Sequence, residues 1–162
     1  MRLAQGDRAE AQRLLHRALP LARWSLIGLH LLQRIYGTMI VAAPDPVTAR
    51  AVVDRAEATM GETDRCPFCD VMFAVPATIA CADVGDLDEA RRRLAEAEGL
   101  AAHWDGGAWT AAAMEARAHI AAAEGNRLEA ASLFESAAEL FATAGQPLDA
   151  RRCQEVLRPA PA

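Results

Sequence analysis

The sequence lacks lysine altogether, has a single tyrosine, and contains only 5% aromatic residues among its 162 positions. It also lacks alternating runs of β-branched residues, which argues against a β-sheet as the core of the fold. Alanine, leucine and arginine are abundant instead, and these side chains lose little rotamer freedom in a helix. The composition therefore predicts an all-α protein.

Long apolar runs and targeting segments are missing as well. The most apolar stretch, residues 24–43, is interrupted by His30, Gln33 and Arg34, and such polar groups are costly inside a bilayer. The N-terminus shows no secretory signal, and four cysteines without such a signal indicate reduced thiols in a cytoplasm. We therefore expect a cytoplasmic protein without membrane contact, with one domain over residues 1–158 and a tail at residues 159–162.

Patterns typical of catalysis and of nucleic-acid binding are also absent. No serine lies in a GxSxG context, and no glycine-rich phosphate loop occurs. Residues 1–40 carry six arginines and two acidic residues, but single-stranded nucleic acid requires arginines interleaved with aromatic residues. The run Arg91–Arg93 is expected on a solvated helix face, paired with acidic residues one turn away. The sequence predicts neither an enzyme nor direct binding of nucleic acid.

What the sequence does contain is an internal repeat of about 40 residues. Alanine recurs four and eleven positions after a polar residue in each copy, and a large apolar residue recurs eight positions after it. Four copies agree at all three offsets, which indicates a true repeat. The defining dipeptides, whose polar residues are 38, 41 and 40 positions apart, are Gly6-Asp7, Pro44-Asp45, Gly85-Asp86 and Gly125-Asn126. The recurring residues are Ala11, Ala49, Ala90 and Ala130, then Leu15, Val53, Leu94 and Phe134, then Ala18, Ala56, Ala97 and Ala137.

The repeat has a direct structural interpretation. Glycine followed by Asp or Asn ends one helix and N-caps the next, and the alanines let the preceding helix approach closely. Each unit is then a helical hairpin that must stack on its neighbour. We predict a tetratricopeptide-like superhelix of about three and a half antiparallel hairpins plus a closing helix. The expected helices span residues 7–19 (stopped near Pro20), 24–42, 46–60, 66–83 (kinked at Pro76), 87–101, 109–124, 127–143 and 148–157.

Three segments carry a resemblance to a known family: residues 85–91 (GDLDEAR), 106–109 (GGAW) and 145–153 (GQPLDARRC). Over residues 66–157 the chain resembles the helical repeat region of large bacterial transcriptional regulators of the LuxR and MalT kind. The resemblance implies a module that receives an inducer or a protein partner and passes its state to nucleotide-binding and DNA-binding domains. Neither a Walker loop nor a helix-turn-helix after residue 157 is present, so we expect only the receiving part.

The start of the sequence resembles the end of a first helix whose body is missing, because only Leu3-Ala4-Gln5 and two further residues precede the first Gly-Asp dipeptide. Terminal repeats normally carry a polar cap. We therefore expect either a piece of a longer protein or a homodimer in which a second chain covers the first hairpin.

The sharpest local motif is Cys66-Pro67-Phe68-Cys69. A CxxC motif at a helix N-terminus is typical of redox thiols or of zinc ligands, but redox proteins place it after a strand, which is not predicted here. Zinc would need further ligands, which His103, Cys81, Cys153 or a second chain would have to supply. A structural role, with Pro67 in the first helical turn and both cysteines packed as small apolar residues, is the third alternative. We predict no cofactor, with zinc on Cys66 and Cys69 as the alternative.

The second candidate site is a groove, because the first helices of stacked hairpins line the concave side of such folds. Those helices carry most of the large side chains, and aromatic residues and methionine are enriched at interface cores. We predict that the groove binds a protein or peptide segment, or an apolar small-molecule inducer. For each residue a core position is the alternative, and for His30 we expect a buried ring with a backbone partner. The predicted ligand-binding residues are Trp24, His30, Arg34, Tyr36, Met39, Phe68, Met72, Phe73, Trp104, Trp109 and Met114.

The sequence thus predicts a non-catalytic recognition module, and the family resemblance implies that it belongs to a transcriptional regulator. The alternative function is a metal-responsive or redox-responsive module that uses Cys66 and Cys69.

Overall fold

A computed structural model of the protein describes residues 3–61, 65–104 and 107–157. These residues form eight α-helices and no strand, which confirms the all-α prediction. None of these helices combines the length and the hydropathy that a membrane span requires. Residue 158 and the expected tail at 159–162 lie outside the described residues. The helices are α1 (Arg8–Arg23), α2 (Gly28–Val41), α3 (Pro46–Met60), α4 (Pro67–Asp83), α5 (Leu87–Ala101), α6 (Ala108–Ala123), α7 (Arg127–Thr143) and α8 (Pro147–Val156).

Each helix packs against the next one along the chain, and two further contacts join α2 to α4 and α4 to α6. The even-numbered helices α2, α4 and α6 therefore lie side by side. This neighbour pattern is the one expected of stacked helical hairpins, in which each repeat contacts only the repeats beside it.

The glycines of the repeat end the helices as predicted. Gly85 has a φ of +82°, its N–H donates to the carbonyl of Ala82, and the N–H of Asp86 donates to the carbonyl of Cys81 at 3.0 Å. This is the Schellman arrangement, which requires a left-handed residue and so favours glycine. The same pair of bonds follows α6 at Gly125.

Side-chain capping by the polar residue of each dipeptide is seen at two of the four positions. The carboxylates of Asp7 and Asp45 each accept a hydrogen bond from the backbone N–H three residues further on. Asp86 and Asn126 make no such side-chain bond, although each occupies the N-cap position of its helix. The prediction of the cap position is confirmed, and the prediction of the capping bond is wrong at these two.

The repeated alanines face the core. Seven of the eight are buried, and Ala18 is half-buried. The large apolar residues between them are buried at Val53 and Phe134 and half-buried at Leu15 and Leu94. Small side chains at these positions let neighbouring helices approach, as the repeat predicts.

Helix α4 is the centre of the structure, since 11 of its 17 residues are buried. It contributes Phe73 and Ala77 to an apolar cluster shared with α2 and α3, and Val71 and Ala74 to a second cluster shared with α5 to α8. The N-terminus of α4, where the CxxC motif lies, is thereby held against both halves of the protein.

Two predicted helix boundaries are wrong near the N-terminus. Helix α1 continues through Pro20 to Arg23, because proline removes only one hydrogen bond there and Ala22 beyond it is buried in the core. Helix α2 begins at Gly28 instead of Trp24, after a turn in which Trp24 is 91% exposed. A Cβ atom at Gly28 would lie 2.7 Å from the Ala22 carbonyl oxygen, so this turn is tightly packed.

The arginine run on α5 also differs from the prediction. Arg91 and Arg92 are exposed, but Arg93 is buried and forms ion pairs with Glu57 of α3 and Glu89 of α5. A buried guanidinium needs such partners because the desolvation of an unpaired charge is costly. One residue of the run therefore joins two helices instead of facing solvent.

Candidate functional site

A groove of about 920 Å³ runs over the even-numbered helices. Its lining combines small and aliphatic side chains of α2, α4 and α6 with residues of α8. The apolar part of this lining includes Gly37, Val75, Pro76, Ile79 and Ala112. The first helices of the predicted hairpins thus provide a concave surface large enough to hold a ligand.

Three of the predicted ligand-binding residues line this groove: Arg34 of α2, Met72 of α4 and Trp109 of α6. Arg34 is exposed, while Met72 and Trp109 are half-buried. One cationic side chain and two large apolar side chains therefore face the space that a ligand would occupy.

The charges along the groove differ in whether they are paired. The Arg152 guanidinium donates two hydrogen bonds of 2.7 Å to the buried carboxylate of Glu115. His119 Nδ1 lies 2.8 Å from Asp83 Oδ1. Arg34, in contrast, makes no ion pair with any residue that the structure describes. Arg8, which also lines the groove, donates hydrogen bonds to the carbonyls of Val41 and Ala43, so among the described residues Arg34 is the lining arginine whose guanidinium has no partner and is available to a ligand.

Three other predicted residues belong to the core and not to the groove. Tyr36, Met39 and Phe73 are at most 3% exposed. The Tyr36 hydroxyl donates to Thr59 Oγ1 at 3.0 Å, and the Arg65 guanidinium lies 5.5 Å from the centre of the Phe73 ring. Their large side chains fill the space between α2, α3 and α4, so they cannot contact a ligand.

The remaining aromatic candidates lie elsewhere on the surface. Trp24 projects from the turn before α2. Phe68 packs edge-on against Trp104 at 5.9 Å, and Trp104 lies 6.4 Å from Trp109. This row of rings connects the CxxC motif to the end of the groove. Met114 is half-buried and packs against the core.

A second cluster combines a residue of α2 with the CxxC motif. His30 Nδ1 lies 3.4 Å from Cys69 Sγ, and one ligand atom from each of His30, Cys66 and Cys69 lies within 4.8 Å of the others. All three side chains are half-buried. The expectation that His30 has a backbone partner is therefore wrong, since its ring contacts a cysteine 39 positions away.

The polypeptide holds this Cys-His cluster from two sides. Cys66 is the N-cap residue of α4, and its carbonyl accepts the N–H groups of Cys69 and Asp70. Asp70 is buried, accepts a hydrogen bond of 2.9 Å from Gln33 Nε2 of α2 and pairs with Arg65 at 3.4 Å. The Gln33–Asp70 bond ties α2 to α4 one turn away from His30.

The local electrostatics do not favour a reactive thiolate at Cys69. Partial burial, followed by the hydrogen bond and charge of Cys66, raises the pKa of the Cys69 thiol, although Arg34 acts in the opposite direction. A nucleophilic or redox-active cysteine is characterised by a lowered pKa. The ligand atoms of His30, Cys66 and Cys69 lie close enough together to bind one metal ion, which would itself displace the thiol protons.

Cys81, Cys153 and His103, which the sequence suggested as further zinc ligands, lie outside this cluster in the described residues. Cys81 and Cys153 are fully buried. Burial raises the pKa of both buried thiols, that of Cys153 to about 12. The third candidate ligand is His30, which the sequence suggested as a groove residue or as a buried ring, and not as a metal ligand.

Sequence reasoning also missed most of the groove lining. Most of the ligand-binding candidates were chosen because they are aromatic residues or methionine. Such residues are large, and on these helices most large residues fill the core. The groove is found where side chains are small, at Gly37 and Ala112. The spacing of small residues along the predicted first helices is the signal that could have located it.

No family model matches the chain, and neither the curated proteins nor the solved structures returned a match. We therefore argue the function from the geometry of the two sites.

Proposed function

We propose that the chain is a non-catalytic recognition module, built as a tetratricopeptide-like repeat, that binds a protein segment along α2, α4 and α6. The observation that carries this proposal is the groove of about 920 Å³ with an apolar lining and the unpaired Arg34 beside it. An apolar peptide with an acidic side chain matches both features, because its side chains bury apolar area while its carboxylate pairs with Arg34.

The shape of the groove favours a peptide over a compact small molecule. Small ligands usually bind in pockets that enclose most of their surface. Here the lining extends across helices from α2 to α8, so a ligand that contacts all of it has to be elongated. An apolar inducer is the competing occupant.

In the described part of the chain, the lining of the groove does not include a serine or cysteine nucleophile beside its histidine. That histidine, His119, is engaged with Asp83. Nucleophilic catalysis needs a nucleophile within hydrogen-bond reach of such a base. The role in a transcriptional regulator, implied by the resemblance, stays a prediction.

The proposal is tested by selecting peptides from a random library on the immobilised protein and measuring their Kd by fluorescence anisotropy. We expect enrichment of apolar sequences with an acidic residue. Trp109→Ala and Arg34→Ala should each raise Kd about tenfold, which corresponds to the loss of one well-buried contact. Thr38→Trp, which places a large ring at an exposed position of the lining, should abolish binding.

Matched controls lie outside the groove. Trp24→Ala removes an equally large ring from an exposed turn, and Val47→Trp adds a ring to the exposed surface of α3. Both should leave Kd unchanged. Peptides that bind the Thr38→Trp protein as well as the wild type would contradict the groove as the site. Failure to enrich any peptide, or native mass spectra showing an apolar small molecule that Thr38→Trp excludes, would overturn the peptide assignment.

A further inference from the structure

The cluster of His30, Cys66 and Cys69 has no role in the proposed groove, yet the fold brings its members together from distant parts of the chain. His30 is in the first turn of α2, and the two cysteines flank the start of α4. Of the common cellular metals, zinc is the one best suited to a donor set of two sulfur atoms and an imidazole nitrogen.

The distances agree with a tetrahedral zinc ion. Zn–S bonds of about 2.3 Å and Zn–N bonds of about 2.0–2.1 Å, at a tetrahedral angle, hold sulfur and nitrogen roughly 3.5 Å apart. The observed separation of His30 Nδ1 and Cys69 Sγ is 3.4 Å. All pairs in the cluster lie within 4.8 Å, so a small rotation of side chains is sufficient to bring three ligands to one ion.

We propose that Cys66, Cys69 and His30 bind one zinc ion, which joins α2 to α4 and keeps a fourth position for water or another exogenous ligand. Within residues 3–61, 65–104 and 107–157 no fourth histidine, cysteine or carboxylate joins the cluster. Both cysteines bind as thiolates, and their protons leave to solvent. Three protein ligands with an open fourth position are typical of zinc sites that exchange a ligand, whereas purely structural sites are closed by four.

Two other functions would use the same sulfur atoms. A disulfide between Cys66 and Cys69 would give His30 no part in the chemistry. A Cys-His nucleophile would use His30 and one cysteine, Cys69, whose sulfur lies 3.4 Å from His30 Nδ1, and would give Cys66 no part in the chemistry. Dependence on His30 therefore distinguishes the metal site from the disulfide, and dependence on both cysteines distinguishes it from a Cys-His pair.

The test is titration of the reduced, chelator-treated protein with Zn²⁺, followed by native mass spectrometry and by competition with a zinc dye. We expect one zinc per chain. Titration with Co²⁺ should produce the thiolate-to-metal charge-transfer band and the intense visible bands of a tetrahedral site. His30→Gln, Cys66→Ser and Cys69→Ser should each weaken zinc binding by more than the roughly 10–100-fold that loss of an outer-shell partner causes.

Controls come from residues of the same types outside the cluster. Cys81→Ala and His103→Gln should leave zinc affinity unchanged. Far-UV circular dichroism of each metal-free variant shows whether it keeps the wild-type helix content, and zinc should raise the Tm of the wild type but not that of His30→Gln. Absence of stoichiometric zinc, one zinc per two chains, or unchanged affinity in folded His30→Gln would overturn the proposal.

Discussion

The backbones of α2 and α4 are in contact at Gly37 and Met72. They are so close that a Cβ atom at position 37 would lie 1.9 Å from the Met72 carbonyl oxygen. No side chain fits this gap unless the two helices move apart. Gly37→Ala is therefore expected to lower the free energy of unfolding by about 1–3 kcal/mol, despite the higher helix propensity of alanine. Urea unfolding followed by circular dichroism measures the change.

Gly99 provides the matched control for this substitution. It is an exposed glycine inside α5, and a Cβ atom there would have no neighbour within 4 Å. Gly99→Ala is expected to stabilise the protein by about 0.4–1 kcal/mol, because alanine reduces the entropy of the unfolded chain. Stabilisation by both substitutions would contradict the close approach of α2 and α4.

The repeat predicted the second helix of each later hairpin accurately, and the reason is local. The predicted bounds of α3, α5 and α7 are those of the structure, since each begins directly after a Pro-Asp, Gly-Asp or Gly-Asn dipeptide. Helix α2 follows Ile27, a residue type that does not cap helices, and its predicted start at residue 24 lies four residues before the observed start at Gly28. Where no capping residue marks the end of a helix, packing decides the boundary.

The candidate sites were harder to predict because they depend on the register between helices. His30 and Cys69 meet because α2 packs against α4, and the two helices are also in close contact at Gly37. No local pattern around His30 indicates this partner. Likewise, residue type does not distinguish Tyr36 and Phe73 from residues that line the groove. Whether a helix face is buried in the core or lines the groove depends on which helices pack against it.

A second prediction concerns the ion pair between the buried carboxylate of Glu115 on α6 and the partly exposed guanidinium of Arg152 on α8. The Glu115 side chain is only 3% exposed, so Arg152→Met leaves a carboxylate buried without its cation. We expect this substitution to lower the free energy of unfolding by about 3 kcal/mol. The double variant Glu115→Leu with Arg152→Met should recover most of that loss, because two apolar side chains can replace a buried pair.

The exposed pair of Arg13 and Glu10 on α1 is the control for this double-mutant cycle. Arg13→Met should change the free energy of unfolding by less than about 0.5 kcal/mol, since solvent screens the pair. If the double variant were no more stable than Arg152→Met alone, the loss would come from packing of the Arg152 chain and not from an unpaired charge.

A third prediction is a pH dependence of stability that arises from Glu89. The hydrogen bond from Arg92, assisted by the charge of Arg93, lowers the pKa of Glu89 to about 2. A carboxyl with a depressed pKa in the folded state stabilises the protein above its unfolded pKa of about 4.3, and this contribution is lost as the pH falls toward 2. Glu89→Gln should therefore cost about 1 kcal/mol at neutral pH and almost nothing near pH 2.

Unfolding by urea at a series of pH values measures this difference. Asp88→Asn on the same turn is the control, because the Asp88 side chain is fully exposed and its pair with Arg91 is open to solvent. A cost of Glu89→Gln that stays constant as the pH is lowered would show that the ion pairs of Glu89 do not provide the stabilisation.

The last prediction separates the four cysteines by their reactivity. Cys81 and Cys153 are fully buried, whereas Cys66 and Cys69 are half-buried. Because only an accessible thiolate attacks an alkylating reagent, the reduced metal-free protein should be labelled at Cys66 and Cys69, and at the other two only after denaturation. Mass spectrometry of digested peptides identifies the labelled positions.

Zinc added before the alkylating reagent should protect Cys66 and Cys69 in the wild type but not in His30→Gln, since coordinated sulfur cannot attack. Rapid labelling of Cys153 in native protein would contradict the packing of α8, and zinc protection that survives His30→Gln would show that the imidazole is not a ligand.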